Sequence, residues 1–130
     1  MKRFIAIIVL LIIIVGICTF EEFFLHNFVK PFTTQANALS KQIEDNENIT
    51  SNKEIITNYT ALKNNWQKAK TTLCFFTNYE KIKSMDESFI KLESGIKNND
   101  KDLANENISL ICNYDKFLTY MMGFNINNLF

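Results

Sequence analysis

The chain has 130 residues, which is enough for one small domain in addition to a membrane segment. Its 14 basic and 14 acidic residues give a net charge of zero, and Arg3 is the single arginine, so the composition argues against nucleic-acid binding and against recognition of acidic ligands. Three glycines and one proline are few chain breakers, which favours long helices over a turn-rich β fold.

The first element is an apolar segment, residues 4–20 (FIAIIVLLIIIVGICTF), which carries no charge. As a helix it would be about 25 Å long, close to the thickness of the hydrocarbon core of a bilayer. Because Lys2 and Arg3 precede it, the positive-inside rule places the N-terminus in the cytoplasm and the rest of the chain on the outer side of the cell membrane. The sequence therefore predicts a single-pass transmembrane anchor over residues 1–22.

Two other interpretations of this segment are less favoured. A cleaved signal peptide needs a small-residue cleavage site, and no A-x-A-like pair follows the apolar run. A lipoprotein would use Cys18, but Ile17 stands where a small residue is required. An uncleaved signal-anchor is the interpretation that needs neither site.

Aromatic residues cluster at the outer end of the apolar segment. They are Phe20, Phe23, Phe24, Phe28 and Phe32. We expect the first four to form an aromatic belt at the membrane interface. The alternative is that these rings pack against another membrane protein.

Helical periodicity continues beyond the anchor. The first outer helix has its apolar face at Phe28, Phe32, Leu39 and Ile43. Because Pro31 lies within this helix, either the anchor helix kinks there or a new helix begins with Pro31 in its first turn. The polar stretch Asp45–Thr50 is predicted to be a loop.

The second outer helix has the clearest pattern. A capping box, Ser51-Asn52-Lys53-Glu54, precedes it. Its apolar positions alternate in spacings of four and three residues: Ile55, Tyr59, Leu62, Trp66, Ala69, Leu73 and Phe76. A further capping box that begins at Thr77 predicts that the helix ends there.

Two more helices follow. The third has its seam at Ile82, Met85, Phe89, Leu92 and Ile96. The segment Asn98-Asn99-Asp100 supplies the stop of that helix and the N-cap of the next. The last helix carries Leu103, Asn107, Leu110, Tyr114, Phe117 and Met121 and ends at Gly123.

These elements predict an all-α fold, an N-terminal transmembrane helix followed by an up-down antiparallel four-helix bundle. The bundle would occupy residues 23–123, outside the cytoplasm, and residues 124–130 would form an apolar C-terminal tail. A trimeric coiled-coil stalk is the alternative, and short connections disfavour it. In the up-down bundle the tail ends near the bilayer. It would then lie on the headgroups, fold under the bundle, or contact a membrane partner through Phe124, Ile126, Asn128, Leu129 and Phe130.

Few side chains suggest chemistry. His26 is the single histidine, and no Cys stands at ligand spacing from it, so we expect neither a metal ion nor a cofactor. No phosphate-binding loop, nucleophile elbow or paired-acid motif is present, and carboxylates such as Asp86 and Glu93 fit a solvated helix face, so we expect no enzyme. Cys74 and Cys112 are expected to be buried thiols, with a disulfide between them as the alternative.

Trp66, the single tryptophan, lies at the middle of the strongest seam. We expect a core residue. The alternative is that Trp66, Tyr59 and Tyr114 line a small apolar pocket between helices, where bundles often bind ligands.

The central Trp66-x-Lys68 with Leu73 and Phe76, together with the ending Ile126-Asn127-Asn128-Leu129-Phe130, resembles an uncharacterised family, the domain of unknown function DUF4363. Its members are small, N-terminally anchored helical proteins of Gram-positive spore formers. Where they often carry a histidine after the central helix, this chain has Asn78. The resemblance implies an anchored helical module, sometimes encoded beside a multi-span membrane protein, and a tail with a binding task. It implies no activity.

Three functions follow as hypotheses. The first is a non-enzymatic accessory or interaction subunit of a membrane protein complex, with a membrane-protein partner. The second is a ligand-sensing bundle with a pocket near Trp66. The third is a homo-oligomeric structural protein that associates through its bundle faces.

Overall fold

The computed structural model describes residues 1–74 and 79–114. Within these ranges the chain is helical apart from short connections, and it contains no strand. The helices form a bundle whose core consists of apolar side chains from every helix after the first apolar segment. The prediction of an all-α fold is therefore confirmed.

The longest helix runs from Lys2 to Asp45. It consists of α1 (Lys2–Phe24), a π-helical turn (Leu25–Val29) and α2 (Lys30–Asp45). The apolar part of α1 is not buried against the bundle. Among the described residues this is the one helix long and apolar enough to cross a membrane, a test that an N-terminal signal sequence also passes.

The π-helical turn ends at Val29, two residues before Pro31, which occupies the first turn of α2. In a regular α-helix, proline removes one backbone hydrogen bond and its ring clashes with the carbonyl four residues earlier. The wider turn accommodates this, as π-bulges inside long helices do. The Thr33 hydroxyl also donates to the carbonyl of Val29 at 2.8 Å. Pro31 thus lies in the first turn of α2, as the second alternative has it, although the π-helical turn joins α2 to α1 without a loop.

The predicted faces of α2 and of α3 (Lys53–Leu73) are confirmed. The buried residues are Phe32, Ala36, Leu39 and Ile43 in α2, and Ile55, Tyr59, Leu62, Trp66, Ala69 and Leu73 in α3. The prediction that Ser51 caps α3 is wrong. The Asn52 side chain accepts from the backbone N–H of Glu54 and Ile55, whereas the Ser51 N–H donates to Asn48 within the loop.

Helix α4 (Tyr79–Lys97) buries the whole predicted seam, Ile82, Met85, Phe89, Leu92 and Ile96. It also buries Ser88 and Gly95, which periodicity did not mark. Phe76 and the predicted helix end at Thr77 lie outside the described residues, as do Phe117, Met121 and Gly123.

A tight connection joins α4 to the last described helix, α5 (residues 101–114). Asn99 has a left-handed backbone conformation with φ of 54°, and the Asp100 N–H donates to the Gly95 carbonyl at 2.8 Å, as in a Schellman cap. The Asp100 side chain then accepts from the Leu103 N–H at 3.1 Å. The predicted stop and N-cap are thus confirmed, and no free linker separates the two helices.

The buried face of α5 differs from the prediction. Leu110 is 51% exposed and Leu103 is only half-buried, whereas the buried residues are Ala104, Asn107, Ile108, Ile111 and Cys112. The rotation of α5 follows from its start. The Cα of Gly95 lies so close to Ala104 that a β-carbon on Gly95 would stand 2.8 Å from the Ala104 nitrogen. Since that contact turns Ala104 towards α4, Leu110 faces outwards.

Polar pairs define how the helices lie against one another. Between α2 and α3, Asn58 donates to Gln42 and Asn65 donates to Gln35, each at 2.7 Å. The later residue of α3, Asn65, thus contacts the earlier residue of α2, Gln35, as in two antiparallel helices. In the loop between α2 and α3, the Ile49 N–H donates to Asn99 Oδ1 at 3.0 Å. This hydrogen bond ties the α2–α3 loop to the α4–α5 connection.

The predicted loop after α2 contains one fully buried residue, Ile49. Its neighbour Thr50 donates its hydroxyl to the Ile96 carbonyl at 2.7 Å. The expectation that Cys74 and Cys112 are both buried is wrong for Cys74, which is exposed just after the end of α3, while Cys112 is buried.

Candidate functional site

A column of phenyl rings follows one side of the long first helix. The rings of Phe20 and Phe24 have centroids 6.4 Å apart, those of Phe24 and Phe28 5.1 Å, and those of Phe28 and Phe32 5.3 Å. The four residues are spaced by four positions, so they share one helix face. Phe20, at the start of the column, is 45% exposed, Phe24 is buried, Phe28 is half-buried, and Phe32, at the end, is 1% exposed.

The predicted membrane-interface residues therefore divide into two groups. Phe20 and Phe23 are exposed on the surface of α1. Phe24 is buried and Phe28 is half-buried, and both belong to the column that leads into the bundle. The aromatic belt at the membrane interface stays a prediction. The ring contacts of the column connect α1 to the core of the bundle.

The column ends in an aromatic cluster at the bundle centre, formed by Phe32, Trp66 and Phe89. The ring of Phe32 lies 6.5 Å from that of Trp66 and 6.4 Å from that of Phe89. Trp66 stacks on Phe89 at 6.1 Å, and it meets Tyr114 edge-on, also at 6.1 Å. Helices α2, α3, α4 and α5 each contribute one ring to these contacts. Each contacting pair lies within the distance of favourable aromatic contact.

Asp86 holds the polar edge of Trp66. The indole Nε1–H donates to Asp86 Oδ1 at 2.7 Å, and the Lys70 ammonium pairs with Asp86 Oδ2. The expectation that Asp86 lies on a solvated face is wrong, because its side chain is only 27% exposed and has two partners. Its position three residues before Phe89, on a helix facing the Trp66 seam, was the signal in the sequence that could have indicated this.

Tyr59 and Glu93 form a second polar contact between α3 and α4. The Tyr59 hydroxyl donates to the Phe89 carbonyl at 3.1 Å and lies 3.5 Å from Glu93 Oε2. Burial, followed by the neighbouring Glu93 carboxylate, raises the pKa of Tyr59. The hydrogen bond from Lys97, with the attraction of Lys63 and Lys97, holds the pKa of Glu93 below its usual value.

The three predicted pocket residues do not line one common cavity among those found in the described part of the chain. A cavity of about 320 Å³ between α4 and α5 is lined by Tyr114, with Met85, Ser88 and Leu110. Another of about 220 Å³ is lined by Tyr59. Trp66 lines neither, since its exposure is 1% and rings occupy its surroundings.

The tail residues Phe124, Ile126, Asn128, Leu129 and Phe130 lie outside the described residues. Within residues 1–74 and 79–114, no group of three or more His, Cys, Asp or Glu side chains is arranged to hold a metal ion. The described polar clusters, Trp66–Asp86–Lys70 and Tyr59–Glu93, fix α3 against α4.

Sequence comparison assigns the chain to a family. The model of the domain of unknown function DUF4363 matches residues 19–129, so the chain belongs to this family. The match covers the aromatic column and the whole bundle and leaves out most of the apolar segment. Neither the curated proteins nor the solved structures contain a significant match.

Proposed function

We propose that this protein is a non-enzymatic, membrane-anchored helical module and acts as an accessory or interaction subunit of a membrane protein complex outside the cytoplasm. The observation that carries the proposal is the continuity of the first helix. The exposed apolar surface of α1 leads, without a loop, through the phenyl column into the core of the bundle. Lys2 and Arg3, ahead of the apolar segment, give the orientation.

A rigid connection suits an interaction subunit better than a simple tether. A flexible linker would let a domain sample many positions above the bilayer. Here the π turn keeps the helix unbroken past Pro31, and Phe28 and Phe32 attach it to the bundle. The bundle would therefore stand at a fixed height and orientation, as a lasting contact with a neighbouring membrane protein requires.

The proposed arrangement of the outer part is an up-down antiparallel bundle with its α2–α3 and α4–α5 connections at the end distant from the membrane. The bonds of Ile49 with Asn99 and of Thr50 with Ile96 support this, since they tie the two connections together. Helix α5, the fourth helix of the bundle, would then return towards the bilayer. The C-terminal tail, residues 124–130, would reach the level of Phe20 and Phe23 and contact the partner there.

The test is affinity capture of the full chain from its native host in a gentle detergent, beside a version that ends at Gly123. A matched full-length control is Ile90→Ser, which removes an apolar side chain that is 65% exposed on α4. We expect one membrane protein to copurify with the full chain and with the control, and to be lost with the tail. Capture of no protein by the full chain would contradict the proposal.

Ligand sensing is a second candidate, because the cavity of about 320 Å³ between α4 and α5 is large enough for a small molecule. Trp66 can report on it, since its ring meets Tyr114 at the cavity wall. With hexanol as a probe, we expect a shift of Trp66 emission in the native chain and none in Ser88→Phe, where the new ring occupies the cavity. An unchanged emission in the native chain would argue against this candidate.

A further inference from the structure

The face of α4 that lies against α5 is tightly packed at one end and open at the other. Near the α4–α5 connection, a β-carbon on Gly95 would stand 2.8 Å from the Ala104 nitrogen, so the two helices touch there. Two and three turns earlier in α4, Ser88 and Ser84 line the cavity of about 320 Å³ between the helices. Small side chains at these two positions leave open a space that larger ones would fill.

The lining of this cavity combines an apolar part with one cationic side chain. Met85 is buried, Leu110 is 51% exposed, and both line the cavity. The buried Ser88 hydroxyl already donates to the Ser84 carbonyl at 3.1 Å, so it needs no polar partner from a ligand. Lys81 is exposed and also lines the cavity, and no Asp or Glu is among the described residues that do so. The lining therefore suits an apolar group with an acidic end, a local feature that the balanced net charge of the chain does not reveal.

The cavity lies at the end of the bundle from which α1 leaves. The hydrogen bond of Ile49 with Asn99 ties the α2–α3 loop to the α4–α5 connection. The first turn of α4, the last described turn of α5 and the start of α2 are therefore all at the opposite end. In the proposed arrangement this is the end that faces the bilayer, where amphiphiles with an aliphatic chain concentrate.

We propose that this cavity binds the aliphatic chain of an amphiphile with an acidic head, with the chain against Met85, Leu110 and Tyr114 and the head at the Lys81 ammonium. The inference rests on ligand sensing, the second candidate function, and names the class of ligand. A volume of about 320 Å³ is at the lower end of the range for small-molecule sites, so the chain is of medium length. Two sources offer this chemistry, a free fatty acid and an anionic phospholipid that inserts one chain.

The first experiment locates the ligand by photolabelling of the full chain in phosphatidylcholine vesicles. The probes are decanoic acid with a diazirine at its chain end, decanol with the same diazirine, and phosphatidylglycerol that carries the same photoreactive chain. Mass spectrometry of the peptides identifies the labelled residues. Labelling of the exposed apolar surface of α1 measures ordinary contact with the bilayer in the same molecules.

We expect decanoic acid to label the cavity lining in the native chain, within residues 81–88 or 110–114. In Ser88→Phe the new ring fills the cavity, so we expect labelling there to fall about tenfold while α1 is labelled as before. Leu110→Trp is a second blocking variant at an exposed position, where the larger ring does not disturb the core. Circular dichroism of each purified variant in detergent checks that the helices form.

Lys81→Gln tests the acidic head. We expect labelling of the cavity by decanoic acid to fall about threefold to tenfold, because the charge-assisted contact is lost, and labelling by decanol to stay the same. The matched control is Lys83→Gln, an exposed lysine of α4 that does not line the cavity. Equal labelling of the cavity by decanol and decanoic acid, unchanged in Lys81→Gln, would overturn the acidic head.

The probes also separate the two sources and the two proposals. Labelling of the cavity by phosphatidylglycerol identifies a bilayer lipid as the source, and labelling by decanoic acid alone identifies a free fatty acid; both results support the inference. Labelling confined to α1 with both acidic probes contradicts it. If hexanol nevertheless shifts the emission of Trp66, ligand sensing stands with a ligand of another class. If hexanol has no effect either, both fail.

Discussion

Trp66 and Asp86 form the hydrogen bond that fixes the centre of the bundle, at 2.7 Å between the indole Nε1 and Oδ1. The same indole ring stacks on Phe89, one turn further along α4. The polar edge and the apolar face of one side chain therefore both contact α4. Asp86 also pairs with Lys70, so the bond is charge-assisted and stronger than one between neutral groups.

Replacing Trp66 should separate these two contributions. Trp66→Phe keeps an aromatic ring but leaves Asp86 without the indole donor, and we expect a loss of about 1–3 kcal/mol in the free energy of unfolding. Trp66→Ala also removes the ring contacts, and we expect about 3–5 kcal/mol. Urea unfolding of the full chain in detergent, followed by circular dichroism, measures both. Equal losses for the two variants would contradict the role assigned to the ring.

The close approach of α4 and α5 predicts an effect of a single methyl group. A β-carbon at Gly95 would stand 2.8 Å from the backbone nitrogen of Ala104, which cannot move without shifting α5. We expect Gly95→Ala to lower the free energy of unfolding by about 1–3 kcal/mol. The matched control is Gly16→Ala, because no atom lies within 4 Å of a β-carbon there. A Gly95→Ala variant as stable as the native chain would show that the helices lie further apart.

Asn99 should resist substitution because it has two roles. Its positive φ favours glycine or asparagine, and its side chain accepts from the Ile49 N–H at 3.0 Å. We expect Asn99→Ala to lose both advantages, with a cost of about 1–3 kcal/mol, and Asn99→Gly to lose only the hydrogen bond. Thermal unfolding should therefore order the three chains as native, Asn99→Gly and Asn99→Ala. Reversal of the two variants would contradict this account of the connection.

The acid limb of the stability profile should depend on Glu93. Its pKa is lower in the folded chain than the ordinary value of 4.5, so its contribution is fully present above about pH 4.5 and is lost as the pH falls through the folded pKa. We expect Glu93→Gln to flatten this part of the profile, measured as the unfolding temperature between pH 7 and pH 3. Glu87→Gln, an exposed position on the same helix, should leave the slope unchanged. An identical slope in Glu93→Gln would contradict the assigned pairing with Lys97.

The alkaline limb should depend on Tyr59. Because burial raises its pKa above the ordinary value of 10.0, the unfolded chain loses this proton first, and stability decreases as the pH rises above about 10. We expect Tyr59→Phe to be less stable near pH 7, where it lacks the bond to the Phe89 carbonyl, and to lose less stability between pH 9 and pH 11 than the native chain. Tyr79→Phe, at a highly exposed position, is the control. A parallel decline in the native and Tyr59→Phe chains would argue against this role.

The sequence predicted the features that depend on one helix alone. Every predicted seam residue from Ile55 to Leu73 in α3 and from Ile82 to Ile96 in α4 is buried, because apolar periodicity reflects the face that each helix buries. The turn at Asn98-Asn99-Asp100 was found because capping residues act locally.

Features that depend on a second helix were missed. Leu110 fits a heptad seam as well as Ile111 does, and the contact of Gly95 with Ala104 decides between them. In the sequence of α4 alone, Asp86 has the pattern of a solvent-facing acid. Its contacts with Trp66 and Lys70 come from α3, so they depend on how the two helices pack. The burial of Glu21 was likewise not indicated, since a glutamate after an apolar run normally marks the start of the aqueous phase.

The measurement that tests the central claim most directly is labelling of Cys74 in intact cells with a membrane-impermeant maleimide. Cys74 is exposed, while Cys112 is buried and Cys18 lies within the proposed membrane segment, so one thiol should react. If α1 anchors the chain with its bundle outside, the protein sediments with membranes and is labelled without lysis, and Cys74→Ser abolishes the signal. Labelling that appears only after the cells are opened would contradict the proposed orientation.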